Sequence, residues 1–127
     1  MENWCYEKEA LELFAKHYKT NEVIPMKYIN RIKKSAHFQQ GLQTLRQLGF
    51  SFLDLSYHGY QATDINSVKS HESSILNRVQ FLRDYPENCA STAFSHIFQG
   101  GYSAGYYSYK WAEVLDADAF DLFLEKG

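Results

Sequence analysis

The chain is poor in the residues that interrupt or staple a fold: of 127 residues, two are proline and two are cysteine. Proline costs a helix interior about 3 kcal/mol, so its scarcity leaves long stretches free to be helical. Cys5 and Cys89 form no CxxC pair, which excludes a local zinc ribbon or a dithiol redox motif. They are read as two free, buried thiols in a reducing cytosol. No apolar run approaches the roughly 20 residues that span a bilayer. The opening MENWCYEKEA has neither the basic start nor the apolar core of a signal peptide, and a cytoplasmic location is expected. The charge is also near balance, at −2, which excludes a strong field for nucleic acid or an anionic membrane.

Several catalytic signatures are missing as well. There is no GxSxG nucleophile elbow and no GxxxxGK[ST] phosphate cradle. The five histidines include no pair spaced to grip one metal ion from a single helix. His71-Glu72-Ser73-Ser74-Ile75 begins like HExxH and fails, because Ile75 stands where the second ligand belongs. That segment is read as exposed helix. His17, His37 and His58 are read as surface or partly buried structural residues. No metal ligands are assigned in this chain.

What is plentiful is aromatic: 17% of the chain, with ten tyrosines, inside a hydrophobic content of 45%. Such a composition belongs to an ordered chain. The length suits one domain that buries roughly two-thirds of its unfolded surface. Apolar spacing predicts an all-α fold of about five helices. The first covers Glu7 to Lys19, with Leu11, Phe14, Ala15 and Tyr18 on one face. The second follows Pro25, which suits a first helical turn. The third runs from about Phe38 to His58, with Gly59 as its stop. A fourth, capped by Asp64, carries Ile65, Val68, Ile75 and Val79. A loop covers Arg83 to Thr92, and the last helix runs from Tyr102 or Ser103 to about Leu124. No strand, repeat or low-complexity segment is predicted.

The richest stretch is FSHIFQGGYSAGYYSYKWAEVLDADAF, Phe94 to Phe120. It places His96 before the pair Gly100-Gly101, and then Tyr102, Tyr106 and Tyr109. On a helix these three phenols fall within an arc of about 60°. A tyrosine stripe alone is more often core or interface than chemistry. A glycine pair leading into it, however, permits close backbone approach and loop movement. Tyr107, Trp111, Val114 and Leu115 are read as the opposite, core-facing side.

That stretch closely resembles the C-terminal substrate-binding loop and helix of the thimet oligopeptidase family, in its oligopeptidase A and peptidyl-dipeptidase branch. ENW at residues 2–4, LFAKHYKTNEVIP at 13–25, FQQGLQTLRQL at 38–48 and FLDLSYH at 52–58 resemble the same branch in the same order. The resemblance implies one helical fragment, residues 1–127, of the catalytic domain of an all-α zinc metallopeptidase that cuts oligopeptides. In that family zinc is held by an HExxH helix and a later glutamate; neither occurs here. No zinc is therefore expected on this chain, and by itself it is expected to be inactive. The resemblance carries over His96, Gly100, Gly101 and Tyr102 as substrate-binding residues and Tyr109 as the oxyanion donor. It assigns no role to Tyr106, for which packing is the reading. An oligopeptide is the expected partner, and apolar faces left exposed on the third helix favour self-association. The alternative is a non-catalytic helical module that binds peptides or another protein.

Overall fold

The computed structural model describes residues 2–59, 65–82 and 85–126. Asp64, the predicted cap, lies outside these residues. The regular elements of the described residues are all helical, in agreement with the all-α expectation. A 3₁₀ turn, Glu2–Tyr6, precedes α1 (Lys8–Phe14), α2 (Met26–Ala36), α3 (Gln40–His58) and α4 (Val68–Leu76). A second 3₁₀ turn, Ala90–Ala93, leads to the short α5 (Ser95–Phe98) and then to α6 (Ser108–Lys126). Its contacts divide the chain into two compact units, Met1–Gln40 and Gly41–Gly127.

In the first unit, α1 stops five residues before the predicted Lys19. The chain doubles back there, with an isolated antiparallel bridge between Lys16 and Val23. The His17 ring holds this turn, its Nδ1 accepting the N–H groups of Lys19 at 3.4 Å and Thr20 at 3.2 Å. Asn21 takes a left-handed φ of 60°, which asparagine tolerates better than most residues. The turn thus satisfies its backbone locally and outcompetes continued helix. Leu11 and Ile29 are the buried apolar side chains here, whereas Phe14 and Tyr18 are exposed. Cys5 is a free thiol but exposed, against the expectation of burial.

The second unit is organised on α3, whose buried positions are Gly49, Ser51, Leu53 and Asp54. Gly49 marks a close approach: a Cβ there would stand 3.3 Å from Leu76 Cδ2 and 3.4 Å from Val79 Cγ2. Leu53, Leu76, Ile97 and Tyr106 form the buried apolar centre. Ser67 caps α4, its side chain accepting the Ser70 N–H at 3.3 Å. Removing that bond in Ser67→Ala should cost about 1 kcal/mol, read as a lower urea midpoint with an unchanged m-value. Val79 lies in the turn after α4 and not on the helix.

Glu72 overturns the reading of 71–75 as exposed helix: it is buried, with 1% of its surface accessible. The apolar side predicted for the last helix is also exposed, including Tyr107, Trp111, Val114 and Leu115. Indeed α6 buries no residue along its 19 positions. Tyr107, Trp111 and Val114 border an open apolar groove of about 430 Å³ together with Leu48, Phe52 and Leu55 of α3. Helical spacing identified an apolar face correctly, but spacing carries no information on what covers it.

Candidate functional site

The site grows from residues 94–109, which run from the end of the second 3₁₀ turn through α5 and a looped stretch into the start of α6. Helix α6 begins at Ser108, six residues later than the predicted Tyr102. Tyr102 and Tyr106 therefore lie in successive turns, and the 60° helical arc is not what gathers the tyrosines. Gly100 and Gly101 have φ of 75° and 83°, conformations that a side chain opposes. Ala104 also takes a left-handed φ, 56°, at a cost of about 1–2 kcal/mol.

The compensation comes from Asp54, which is fully buried in α3. Its Oδ1 accepts the Ala104 N–H at 2.9 Å and its Oδ2 accepts the Tyr106 N–H at 2.8 Å. His58 Nδ1 lies 2.8 Å from Oδ1, and with the carboxylate ionised that nitrogen carries the proton. A hydrogen bond to a charged group is worth about 1.5–3 kcal/mol, enough to offset the strain at Ala104. Ser103 adds a bond from its hydroxyl to the Ile97 carbonyl at 2.7 Å. The segment is a built loop, wrapped around a buried carboxylate.

Tyr106 is the anchor. Its ring is buried against Phe94 at 5.4 Å and Phe50 at 5.8 Å, both edge-on, and its hydroxyl donates to Gln47 Oε1 at 3.0 Å. Burial raises its pKa, with the Arg46 charge and the Gln47 bond acting in the opposite direction. The packing reading of Tyr106 agrees with this environment.

Around the anchor, His96, Tyr102 and Tyr109 come together with their polar tips accessible. The Tyr109 hydroxyl is 3.2 Å from His96 Nε2. The His96 and Tyr102 rings are 4.4 Å apart, and the Tyr102 and Tyr109 rings lie parallel within 6° at 6.2 Å. Tyr102 and Tyr109 are 40% and 39% exposed, which leaves both phenols open to a ligand. The Tyr109 pKa is raised, first by desolvation and then by the neighbouring Tyr102 and Tyr106 phenols. Its proton therefore stays in place throughout neutral pH, as a donor requires. Beside Tyr109 a groove of about 480 Å³ runs past Gln47, Glu113 and Asp116.

Upstream of His96, a second buried carboxylate holds the chain. Glu72 Oε2 accepts the Ser91 N–H and hydroxyl, each at 2.6 Å, and Oε1 accepts the Ala90 N–H at 3.1 Å. Tyr57 donates to the Ser91 hydroxyl at 2.8 Å, completing a relay from phenol to serine to carboxylate. The free Cys89 thiol also points at Glu72, 3.5 Å away. Burial pushes the Glu72 pKa up, but the Ser91, Ala90 and Cys89 donors outweigh it and hold the group below the ordinary carboxylate range.

Among the described residues no three histidine, cysteine, aspartate or glutamate side chains converge as a metal ion requires. The oxygens of Asp54 and Glu72 are taken up by N–H and O–H groups. The described residues thus do not fit a zinc centre.

A family model for peptidase family M3 matches residues 1–127, the entire chain. The chain belongs to peptidase family M3. Within this family it is 42% identical to oligopeptidase A of Haemophilus influenzae over 128 residues. It is 43% identical to the organellar oligopeptidase A, chloroplastic/mitochondrial, of Arabidopsis thaliana, again along its whole length. To the dipeptidyl carboxypeptidase of Salmonella typhimurium it is 32% identical, over 99% of the chain. The chain spans 19%, 16% and 19% of the length of these three M3 relatives. No described helix is long and apolar enough to cross a membrane.

The family resemblance carries over His96, Tyr102 and Tyr109, and these three side chains do meet. Asp54 and Glu72, which hold their backbone, received no role from the sequence. A signal existed for Asp54: it is the single acidic residue between Arg46 and Gly59, flanked by Leu53 and Leu55. A carboxylate inside an apolar helical stretch needs a buried partner.

Proposed function

We propose that this chain is a substrate-binding part of the catalytic domain of a zinc-dependent oligopeptidase, with residues 1–127 forming one helical portion of that domain. The observation that carries this reading is the meeting of His96, Tyr102 and Tyr109, three accessible hydrogen-bonding rings on a backbone tied to buried carboxylates. Membership of family M3 and the likeness to oligopeptidases support the substrate class.

In this reading Tyr102 and His96 bond the backbone of an extended oligopeptide. Tyr109 donates its phenolic proton toward the oxygen of the scissile carbonyl as negative charge develops there. The raised pKa keeps that proton available, and the bond to His96 orients the hydroxyl before the peptide arrives. Gly100 and Gly101 let the intervening loop come down on the peptide without a side-chain clash. Zinc belongs to the proposal for the whole enzyme, not to these residues, and the isolated chain is proposed to bind without cleaving.

A blocked hexa-alanine peptide, titrated into the 127-residue chain and followed by NMR, tests the reading. The expected result is saturable shifts of the His96, Tyr102 and Tyr109 ring signals and of the Gly100 and Gly101 amides. Shifts confined to the Trp111 groove would instead assign peptide binding to the apolar face and remove these residues from it.

A further inference from the structure

The proposed peptide contacts leave Asp54 without a part in binding, although its carboxylate takes two backbone N–H groups of the same loop and the His58 ring. We propose that Asp54 is the positioning residue of this site: its two carboxylate oxygens clamp alternate backbone N–H groups, Ala104 and Tyr106, and thereby set Tyr102 and Tyr109 against His96. The function of the clamp rests on the substrate-binding reading above; its geometry does not.

Three observations converge on this role. The clamp falls between the two exposed phenols, two residues after Tyr102 at Ala104 and three before Tyr109 at Tyr106. It spans the left-handed Ala104, so a single rigid carboxylate is matched to a backbone shape that neither helix nor strand provides. Tyr106 is then secured at its N–H by Asp54, at its ring by Phe94 and Phe50, and at its hydroxyl by Gln47. The stretch bearing Tyr109 is consequently tied down where it leaves the clamp. By contrast, the space where a Gly101 side chain would stand holds no atom within 4 Å. Bonded and open positions are thus divided within one loop, with the Asp54 contacts on the bonded side.

The chemistry requires a carboxylate and not merely a polar side chain. Two N–H donors converge on the two oxygens, and His58 adds a third donor on Oδ1. Asparagine has one acceptor oxygen, and its NH₂ would face a donor with a donor. Asp54→Asn therefore preserves the shape of the side chain and breaks half of the clamp.

The test uses the 127-residue chain. In the wild type, the Ala104 and Tyr106 amides should exchange with solvent at least tenfold more slowly than that of Gly101, a ratio of about that size following from one strong buried bond. In Asp54→Asn, the amide left facing the NH₂ should lose that protection, the His96–Tyr109 ring contact should weaken in NOE spectra, and blocked hexa-alanine should bind about tenfold more weakly. Leu53→Ala is the control, since it destabilises the neighbouring core while leaving the clamp intact; it should leave the peptide affinity of the folded chain unchanged. Equal losses of affinity in both variants would reduce Asp54 to a general contributor to stability. Retention of the ring contact in Asp54→Asn would overturn the proposal. If that variant does not fold, the wild-type exchange decides: amides of Ala104 and Tyr106 as fast as Gly101 refute the clamp. Should the wild type show the protected amides and the ring contact yet bind no peptide, the substrate reading fails and the positioning of the rings by Asp54 stands.

Discussion

Replacing Tyr109 with phenylalanine in an active peptidase that carries this segment should lower kcat by about a hundredfold while leaving KM within about a factor of three. The size follows from losing one preorganised donor to a developing oxyanion, typically about 3 kcal/mol. The asymmetry follows because, in the proposed role, the phenol would bond a charge that exists in the transition state and not in the ground state. Little else should change, since the hydroxyl is accessible and its partner is the exposed His96. The ring remains to stack on Tyr102, so folding should be unaffected. Tyr102→Phe serves as the contrast, with KM expected to rise more than kcat falls. An unchanged kcat in Tyr109→Phe would remove this residue from the oxyanion role. Because the Tyr109 pKa is raised, loss of its proton belongs above the ordinary phenol value of about 10. Any decline of kcat between neutral pH and that point must then come from another group.

The second large effect is expected at Glu72. Glu72→Ala leaves the Ser91 N–H, the Ser91 hydroxyl and the Ala90 N–H without their acceptor in a buried place. Each unsatisfied donor costs about 1–3 kcal/mol, and partial entry of water should reduce the sum to about 3–4 kcal/mol. Chemical denaturation of the chain at neutral pH measures it directly; a loss below about 1 kcal/mol would mean that water replaces the carboxylate at little cost. Acid provides an independent measurement on the wild type. The Glu72 pKa in the folded chain lies below its ordinary value, so the folded state binds this proton more weakly than the unfolded state. Its contribution is therefore fully present above about pH 4.3 and fades as the pH falls through the lower, folded value. Glu72→Gln should be less stable than the wild type at neutral pH, and the difference should shrink in acid. Because Glu72 fixes the turn entering α5, its loss should also blur the His96 signals in NMR spectra.

The two expectations concern groups that differed greatly in legibility. A glycine pair followed by phenols at short intervals drew attention to this stretch, and its resemblance to the thimet oligopeptidase family singled out Tyr109 within it. The helical arc expected for the three phenols is not what brings them together, however. A continuous helix from Tyr102 would have gathered the phenols on one face. In fact they are gathered by a left-handed turn at Ala104, held by a carboxylate 50 positions earlier in the chain. Helical periodicity measures only what neighbours along the chain share, and it has no access to an acceptor arriving from another element. The same limit explains Glu72. As the second residue of a failed HExxH pattern it looked solvated, and its burial depends on donors 18 and 19 residues away.

By itself the sequence determined the helical class, the break at Pro25 and the end of α3 before Gly59. These follow from local preferences: apolar spacing, the conformational freedom of glycine, and the cost of proline. Only the tertiary structure decided where α6 begins, which face of it remains open, and which buried charges shape the loop. Those outcomes depend on desolvation and on hydrogen bonds between distant segments, whose free energy exists only once the chain has brought them together.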